Sequence, residues 1–368
     1  MVELSMIKLH SKITHNLSTE DNFVIKISSN KKINVDANNA YMKNLDDKII
    51  IQTLYGEFSI FDDSIAFEEN EILLIFPKVS SIKRFFRPNA NSNSLLLTEE
   101  CDQRCIMCSQ PPKNKRYDNF SLYKKAVLLM PEYGHLGITG GEPTLFKEPL
   151  INFLKDIIEI RNDLTFHILT NGQHFVKEDI NNLFILSKNV TWGIPLYSYD
   201  EKSHDDIVSK DGAYKRLFDS FNYLLSSGSR VELRTVIMKQ NVKHLPKLSE
   251  LISSQLPWIK VWAIMQLENI GYARMNWDKI FFDNSSDFSN IEKAMSIGLA
   301  NNINIAFFNF PLCSVPRDYR GYAKNSISDW KNKFIENCDK CQKKDFCTGF
   351  FEWHKNDIGY KHIGPEYL

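Results

Sequence analysis

Seven cysteines divide into two groups, and the spacing of the first group is suited to metal chemistry. Cys101, Cys105 and Cys108 occur in the segment SLLLTEECDQRCIMCSQPP with the spacing C-x3-C-x2-C, directly after a predicted strand. Thiolates are soft ligands that suit iron–sulfur clusters and zinc. Three thiolates on one cluster leave one iron with an open coordination position, as a catalytic zinc site also does. A zinc loop, or three unconnected core cysteines, is also compatible with the spacing alone.

The second cysteine group lies in the last sixty residues of the chain. Its spacing is C-x2-C-x5-C with one further cysteine upstream, and its members are Cys313, Cys338, Cys341 and Cys347. Four soft ligands can close a site completely, so a 4Fe–4S cluster and a structural zinc ion are both compatible with this group. An odd number of cysteines argues against a purely disulfide framework.

Polar residues follow several predicted strands where a barrel would gather its active site. The segment ITGGEPTL places Gly140, Gly141 and Glu142 after the second strand. Glycines let a ligand approach the backbone, and Glu142 offers a carboxylate to a cationic group. Arg234 lies in the fifth strand, and its guanidinium is suited to pairing with a ligand carboxylate. The alternative for Gly140, Gly141 and Glu142 is a turn before a helix, and the alternative for Arg234 is a structural salt bridge.

Apolar runs that alternate with amphipathic stretches predict six strand–helix units from Ser94 onward. The six strands are SLLLT, HLGIT, LTFHILT, TWGIPLY, VELRTVIM and IKVWAIM. A full eight-fold barrel typically needs about 250 residues. The shorter span here predicts an α/β fold with a partial (β/α)6 TIM-like barrel, and INIAFF near Ile303 is a candidate edge strand.

The barrel is predicted to lie between two smaller regions. Residues 1–93 contain short β-rich runs and predict a small β-rich domain, which ends in the linker RFFRPNANSNS. Residues 94–305 form the predicted barrel, and residues 306–368 form a cysteine-rich C-terminal region.

Charge and hydropathy exclude some partners. Lys plus Arg and Asp plus Glu number 45 each, so no global field favours nucleic acid. No run approaches eighteen apolar residues, and the start lacks the apolar core of a signal peptide. We therefore expect a cytoplasmic protein without a membrane partner.

The motif CDQRCIMC, with GGE downstream, resembles the cluster motif of the radical S-adenosylmethionine superfamily. The resemblance implies a 4Fe–4S cluster on Cys101, Cys105 and Cys108, whose open iron chelates the amino and carboxylate groups of S-adenosylmethionine. One electron then cleaves the sulfonium and yields a 5′-deoxyadenosyl radical that abstracts a substrate hydrogen. Further cofactor contacts implied by the resemblance are Gly140, Gly141, Glu142, Asn171 in LTNG, Ser198 and Arg234.

A finer resemblance is to the radical maturases of His-Xaa-Ser systems, specifically the C component. It rests on CSQPPK, GITGGEPTL, NFPLCSVPRDYRGYAKNSISDWKN and the CDKC ending. It implies a ribosomally made precursor peptide as substrate, a sister radical enzyme, and an electron donor such as flavodoxin or ferredoxin. It also implies a second 4Fe–4S cluster on the four C-terminal cysteines, with zinc as the alternative.

Several features leave more than one interpretation open. A radical enzyme acting on a small molecule or tRNA, and a metal-stabilised scaffold without catalysis, are the alternative functions. The β-rich N-terminus is a candidate for peptide recognition by strand addition, or a stabilising cap. A helix cap is the alternative for Ser198. His174 and His204 are predicted to be solvated loop residues, and no catalytic acid or base is identified.

Overall fold

The N-terminal region forms a sheet that closes on itself. The computed structural model describes residues 10–45, 48–61, 66–116, 119–355 and 358–365. The eight strands of this sheet are β1 (His10–Lys12), β2 (Thr14–His15), β3 (Phe23–Ser28), β4 (Asn39–Leu45), β5 (Lys48–Thr53), β6 (Gly56–Ile60), β7 (Ile72–Phe76) and β8 (Ser81–Phe86). Their order is β1-β8-β7-β3-β4-β5-β6-β2. Because only Ile13 separates β1 from β2, both ends of the sheet meet in one segment.

This closure limits the hypothesis of strand addition. β1 pairs with β8 and β2 pairs with β6, so the described sheet has no long free edge. β3 and β4 pair in parallel over three residues, 26–28 with 39–41, and β4 continues beyond that overlap with β5 on one side only. The described sheet therefore offers an added strand only short unpaired stretches, of which this overhang is one.

Four of the eight N-terminal strands, β1, β2, β4 and β8, lie outside the β-rich runs that the sequence predicts. The segment DANN predicts a turn, but β4 begins at Asn39, and the predicted linker starts inside β8. β8 carries Lys83 and Arg84, which obscure its alternation. Arg84 is buried because it forms an ion pair with Glu71, and the two side chains are 4% and 0% exposed.

The rest of the described fold is a seven-stranded parallel sheet covered by helices. Its strands are β9 (Ser94–Thr98), β10 (His135–Gly140), β11 (Thr165–Leu169), β12 (Val190–Pro195), β13 (Arg230–Val236), β14 (Val261–Met265) and β15 (Ile305–Phe308). They pair in chain order, from β9 at one edge to β15 at the other. The predicted partial barrel is confirmed, and INIAFF supplies the seventh strand.

Eight helices in the described residues connect or flank these strands. They are α1 (Phe120–Leu128), α2 (Lys147–Ile160), α3 (Ile180–Leu186), α4 (Glu201–Val208), α5 (Ala213–Ser226), α6 (Leu245–Gln255), α7 (Gly271–Ile280) and α8 (Ser289–Ala300). Alternate strand residues such as Ile138, Ile168 and Leu233 pack against the helices in one core. The opposite face of the sheet carries His167, Glu232 and Arg234.

The N-terminal sheet shares the core of the barrel. Val24, Leu74 and Phe85 belong to the same buried cluster as Leu122 and Val127 of α1. The sheet therefore covers α1 as a packed cap, and removing it would expose apolar surface. The division of the chain at residue 93 stays a prediction.

The C-terminal region consists mainly of short turns. Its two strands, β16 (Asn332–Lys333) and β17 (Phe350–Phe351), form an antiparallel pair. Arg87, which follows β8, binds Asp329 with two hydrogen bonds of 2.9 and 2.6 Å, so the C-terminal region is tied to the N-terminal linker. None of the described helices is long and apolar enough to cross a membrane.

The shared core generates a stability prediction. Leu74→Ala removes a fully buried side chain from the contact with α1 and should lower the free energy of unfolding by about 2–5 kcal/mol. Urea denaturation measures the change. Leu54→Ala is the matched control, because Leu54 is 57% exposed and its loss should change stability by less than about 0.5 kcal/mol. Equal stability of the two variants would contradict a shared core.

Candidate active site

The first cysteine group lies on the loop that follows β9, at the carboxyl edge of the parallel sheet. This loop is attached to the end of α4, because the Arg104 N–H donates to Val208 O at 3.2 Å and the Ile106 N–H donates to Ile207 O at 3.0 Å. The Asn276 side chain in α7 donates to Ile106 O at 2.8 Å. The loop thus has fixed contacts on two helices.

The three thiols of this loop influence one another electrostatically. Burial, together with nearby acidic groups and Cys108, raises the pKa of Cys101 to about 12. Burial and the thiols of Cys108 and Cys101 also raise the pKa of Cys105, and burial raises that of Cys108. A bound metal deprotonates a coordinating thiol outright. The donor set therefore fits a cationic iron–sulfur centre, which would stabilise the thiolates.

Single-ion geometry is a separate question. Across the described residues, no three His, Cys, Asp or Glu side chains stand close enough together to share one metal ion. An iron–sulfur cluster does not require the thiols to be this close together, because each thiolate then binds its own iron.

The two glycines of ITGGEPTL serve the packing at the root of the cysteine loop. A Cβ on Gly141 would lie 2.1 Å from the Glu100 carbonyl oxygen, and one on Gly140 would lie 2.7 Å from that of Thr98. Neither glycine is among the residues with positive φ. Close contact between β9 and β10 thus explains both glycines without a ligand, and their predicted cofactor contact stays a prediction.

Glu142 is fully buried, and its carboxylate is occupied by hydrogen bonds within the protein. Oε1 accepts from the Thr144 N–H at 2.8 Å and from the Thr170 hydroxyl at 2.6 Å, while Oε2 accepts from the Asn171 N–H. Burial raises the pKa of Glu142, and these hydrogen bonds oppose that rise. Glu142 thus joins the ends of β10 and β11. Its predicted contact with a cationic group of the cofactor stays a prediction.

Asp102 is a site residue that the sequence analysis did not identify. Its carboxylate accepts a hydrogen bond of 2.8 Å from the Asn171 side chain, forms an ion pair with Lys210, and lies 3.2 Å from His174 Nε2. Burial opposes ionisation, but His174 and Lys210 hold the pKa of Asp102 well below its usual range. The predicted residue Asn171 therefore contacts the cysteine loop. The feature of the sequence that could have indicated this role is the position of the carboxylate between two of the cysteines.

The expected solvated environment of the two histidines is wrong. His174 is half-buried against Asp102. His204 lies in α4 and is 1% exposed, and its Nδ1 accepts a hydrogen bond from the Tyr197 N–H at 3.3 Å. Tyr197 stacks on His204 and packs in the same apolar cluster as Cys105. Tyr197 was also missed, because a buried tyrosine has no local signature.

The structure places Ser198 and Arg234 in protein contacts. The Ser198 hydroxyl lies 2.8 Å from His244 Nδ1 and accepts from the Asp200 N–H at 3.0 Å. Asp200, rather than Ser198, caps α4. Arg234 pairs with Glu232, whose Oε1 lies 3.5 Å from His167 Nε2. The salt bridge that was the alternative for Arg234 is thus observed. The cofactor contacts of Ser198 and Arg234 stay predictions.

The four C-terminal cysteines line a single cavity. Leu312, Phe334 and Phe350 contribute apolar walls between Cys313, Cys338, Cys341 and Cys347. The backbone N–H groups of Leu312 and Gly349 each donate to Cys347 Sγ at 3.3 Å. Burial raises the pKa of Cys313 to about 12. The four cysteines thus line one cavity, and their role as ligands of one metal centre stays a prediction.

These observations define a class of fold and site, namely a partial parallel barrel with a cysteine loop after its first strand. Residues 95–252 match the family model described as "Radical SAM superfamily". The matched segment covers less than half of the chain.

Individual proteins show more distant likeness. The antilisterial bacteriocin subtilosin biosynthesis protein AlbA of Bacillus subtilis (strain 168) is 23% identical over 158 residues, which cover 42% of this chain and 35% of AlbA. The match thus spans about a third of that relative. Streptococcus suis SuiB bound to S-adenosylmethionine is 20% identical, with 59% of this chain and 51% of SuiB covered and a TM-score of 0.47. AnSMEcpe with bound AdoMet is 13% identical, with 58% and 64% covered and a TM-score of 0.47.

The buried imidazole of His204 predicts a pH dependence of stability. Burial lowers its pKa from the ordinary 6.5 to about 4. The unfolded chain therefore binds a proton below pH 6.5 that the folded protein does not bind until about pH 4, and stability should fall as the pH decreases through this window. His204→Asn, which keeps an acceptor for Tyr197, should reduce the fall by up to about 3 kcal/mol at pH 4.

Urea denaturation of both proteins at a series of pH values measures the difference. His362→Asn is the control, because His362 is exposed. Identical pH profiles of wild type and His204→Asn would show that His204 does not contribute.

Proposed function

We propose that this chain is a radical S-adenosylmethionine enzyme whose 4Fe–4S cluster is bound by Cys101, Cys105 and Cys108. The observation that carries the proposal is the partition of the cysteines. The other four line a separate cavity, so the loop after β9 supplies three thiolates and no fourth cysteine. A cluster held in this way keeps one iron open for S-adenosylmethionine, whereas a fourth thiolate would restrict it to electron transfer.

The residues around the loop would position the cofactors. When bound, S-adenosylmethionine would supply the chemistry, because its one-electron reduction would break a carbon–sulfur bond, release methionine and allow a hydrogen atom to be taken from the substrate. Asp102 fixes the loop to Asn171 and Lys210. Arg234 lies on the face opposite the helices, where its guanidinium could bind a carboxylate if it exchanged its contact with Glu232. The face of the sheet opposite the helices would exclude water from the reaction.

We propose a ribosomally made precursor peptide as the substrate, of the His-Xaa-Ser type. The support is the finer sequence resemblance and the likeness to AlbA, whose name describes a bacteriocin biosynthesis protein. A sister radical enzyme and a flavodoxin or ferredoxin as electron donor belong to the same proposal, as does a cytoplasmic setting. Balanced charge disfavours the alternative of a tRNA substrate.

We further propose that the C-terminal cavity holds a second 4Fe–4S cluster. Cys313, Cys338, Cys341 and Cys347 are four thiols around one space, and the two N–H donors to Cys347 would stabilise a bound thiolate. Structural zinc is the alternative, and it would require these four thiols to come closer together than they lie in this structure.

Cys105→Ala tests the main proposal. After anaerobic reconstitution with iron and sulfide, the wild-type chain supplied with dithionite and S-adenosylmethionine should release 5′-deoxyadenosine, and Cys105→Ala should release none above background. Chromatography with mass detection measures the product. Ser109→Ala, next to the last ligand, is the control and should keep its activity. A fully active Cys105→Ala enzyme would overturn the assignment.

The double variant Cys338→Ala, Cys341→Ala tests the second cluster, because it leaves that cavity with two thiols, fewer than the three at the first site. Wild type should contain about eight irons per chain and the variant about four, because only the C-terminal site is lost. Iron, sulfide and zinc analysis measures this, and uncoupled 5′-deoxyadenosine release should persist in the variant. One zinc and about four irons in the wild type would favour the structural alternative.

A further inference from the structure

Gln103 lies between the first two cysteines of the loop after β9, and it is buried, with 3% of its surface exposed. Both of its neighbours in the chain are attached to the rest of the fold. Asp102 accepts a hydrogen bond of 2.8 Å from the Asn171 side chain, and the Arg104 N–H donates to Val208 O at 3.2 Å. The backbone of Gln103 is therefore fixed from both sides. A buried amide at such a position needs hydrogen-bond partners.

The partners of Gln103 are two of the three thiols of this loop. Its backbone N–H donates to Cys101 Sγ at 3.4 Å, and its side-chain Oε1 accepts from the Cys105 thiol at 3.4 Å. Within the described residues, the Cys105 thiol is the only hydrogen-bond partner of the Gln103 side chain. One residue thus contacts two of the proposed cluster ligands, one through its backbone and one through its side chain.

The contact between Oε1 and the Cys105 thiol cannot persist when Cys105 binds a metal. A coordinated cysteine is a thiolate and has no proton to donate, so an acceptor oxygen would then face an anion. A primary amide carries an acceptor oxygen and an NH2 donor on the same carbon, and a half-turn about the last side-chain bond exchanges them. Among the described residues, this half-turn breaks only the hydrogen bond that metal binding itself removes.

We propose that the side-chain amide of Gln103 donates a hydrogen bond to the Cys105 thiolate when the first cluster is bound, and that this bond makes the cluster easier to reduce. Hydrogen bonds to the sulfurs are among the factors that set the reduction potential of an iron–sulfur cluster. An added electron increases the negative charge on the sulfurs, so an N–H donor stabilises the reduced cluster more than the oxidised cluster. Gln103 is thus a positioning residue that acts through Cys105.

This inference rests on the proposed function, because it takes Cys101 and Cys105 to bind the cluster. The hydrogen bond matters for that function because the cluster has to receive one electron from an external donor before S-adenosylmethionine can be reduced. With the backbone N–H at Cys101, Gln103 supplies hydrogen bonds to two of the three ligands. Since its neighbours are already fixed, only the last side-chain torsion has to change.

Replacement of Gln103 by methionine tests the hydrogen bond. Gln103→Met keeps the length of the side chain and removes its amide. An anaerobic titration with dithionite, followed by electron paramagnetic resonance in the full-length protein, measures the midpoint of the signal that changes when S-adenosylmethionine is added. This response identifies the cluster with the open iron. The equilibrium constant for its reduction should fall about three- to tenfold, which makes the midpoint up to about 59 mV more negative.

Gln110→Met is the matched control for this titration. Gln110 contacts Cys108 through its backbone carbonyl, which accepts from the thiol at 3.0 Å and is kept in the variant, so the midpoint should equal that of the wild type. Gln103→Leu, a second replacement without a donor, should shift the midpoint in the same direction as Gln103→Met. A merely structural role of Gln103 would lower the iron content or the stability without moving the midpoint. Equal midpoints of the wild type and the two Gln103 variants would overturn the inference.

Isotopic labelling tests the orientation of the amide in the wild-type chain. Glutamine labelled in its side chain with the heavy isotope of nitrogen should give a coupling to that nucleus in the pulsed resonance spectrum of the reduced first cluster. The coupling should be missing in Gln103→Met. A wild-type spectrum without the coupling would show that the amide nitrogen does not approach Cys105, and it would overturn the inference even if the variants lose their cluster.

The two proposals can fail separately. If the wild type forms the cluster and releases 5′-deoxyadenosine, but the midpoint and the spectrum do not depend on Gln103, the inference fails and the radical function stands. If they depend on Gln103 while no 5′-deoxyadenosine is released, the inference stands and the radical function fails. A wild-type chain that forms no cluster on this loop would overturn both.

Discussion

The position of the first cysteine loop depends on the carboxylate of Asp102. This one side chain receives Asn171 from the end of β11, Lys210 from the segment after α4, and His174. Partial burial strengthens these charged contacts relative to the same contacts in water. A loop that is proposed to bind a metal centre through three cysteines needs its geometry set before the metal binds, and the contacts of Asp102 hold it in place. Glu142 does the same for the neighbouring strand ends, so the two carboxylates are structural supports beside a site of thiols.

The parts of the fold that follow from local pattern are predictable from the sequence. The six strands of the barrel are short apolar runs, and the cysteine spacing identifies the loop after β9 without any knowledge of its surroundings. Contacts between distant residues leave no such pattern. Asp102 and Lys210 are 108 positions apart, and neither position predicts the other. β8 was missed because Arg84 breaks its alternation, although Glu71 neutralises that charge inside the fold. His204 was assigned to solvent because its burial depends on stacking with Tyr197.

The N-terminal sheet and the C-terminal region are both attached to the barrel by buried contacts. The sheet packs on α1 through Leu74 and Phe85, and Arg87 connects its end to Asp329 of the C-terminal region. A role of the sheet in peptide recognition therefore has to coexist with a role in holding α1. Because the sheet closes on itself, its overhang at β4 is a smaller target than an open sheet edge would be.

Gly271 couples the first cysteine loop to α7. The start of α7 presses against the carbonyl groups of Cys108 and Ser109 so closely that no side chain fits between them. Any larger residue at this position would push the helix and the loop apart, so a displacement of α7 would also displace the backbone that carries the third thiol.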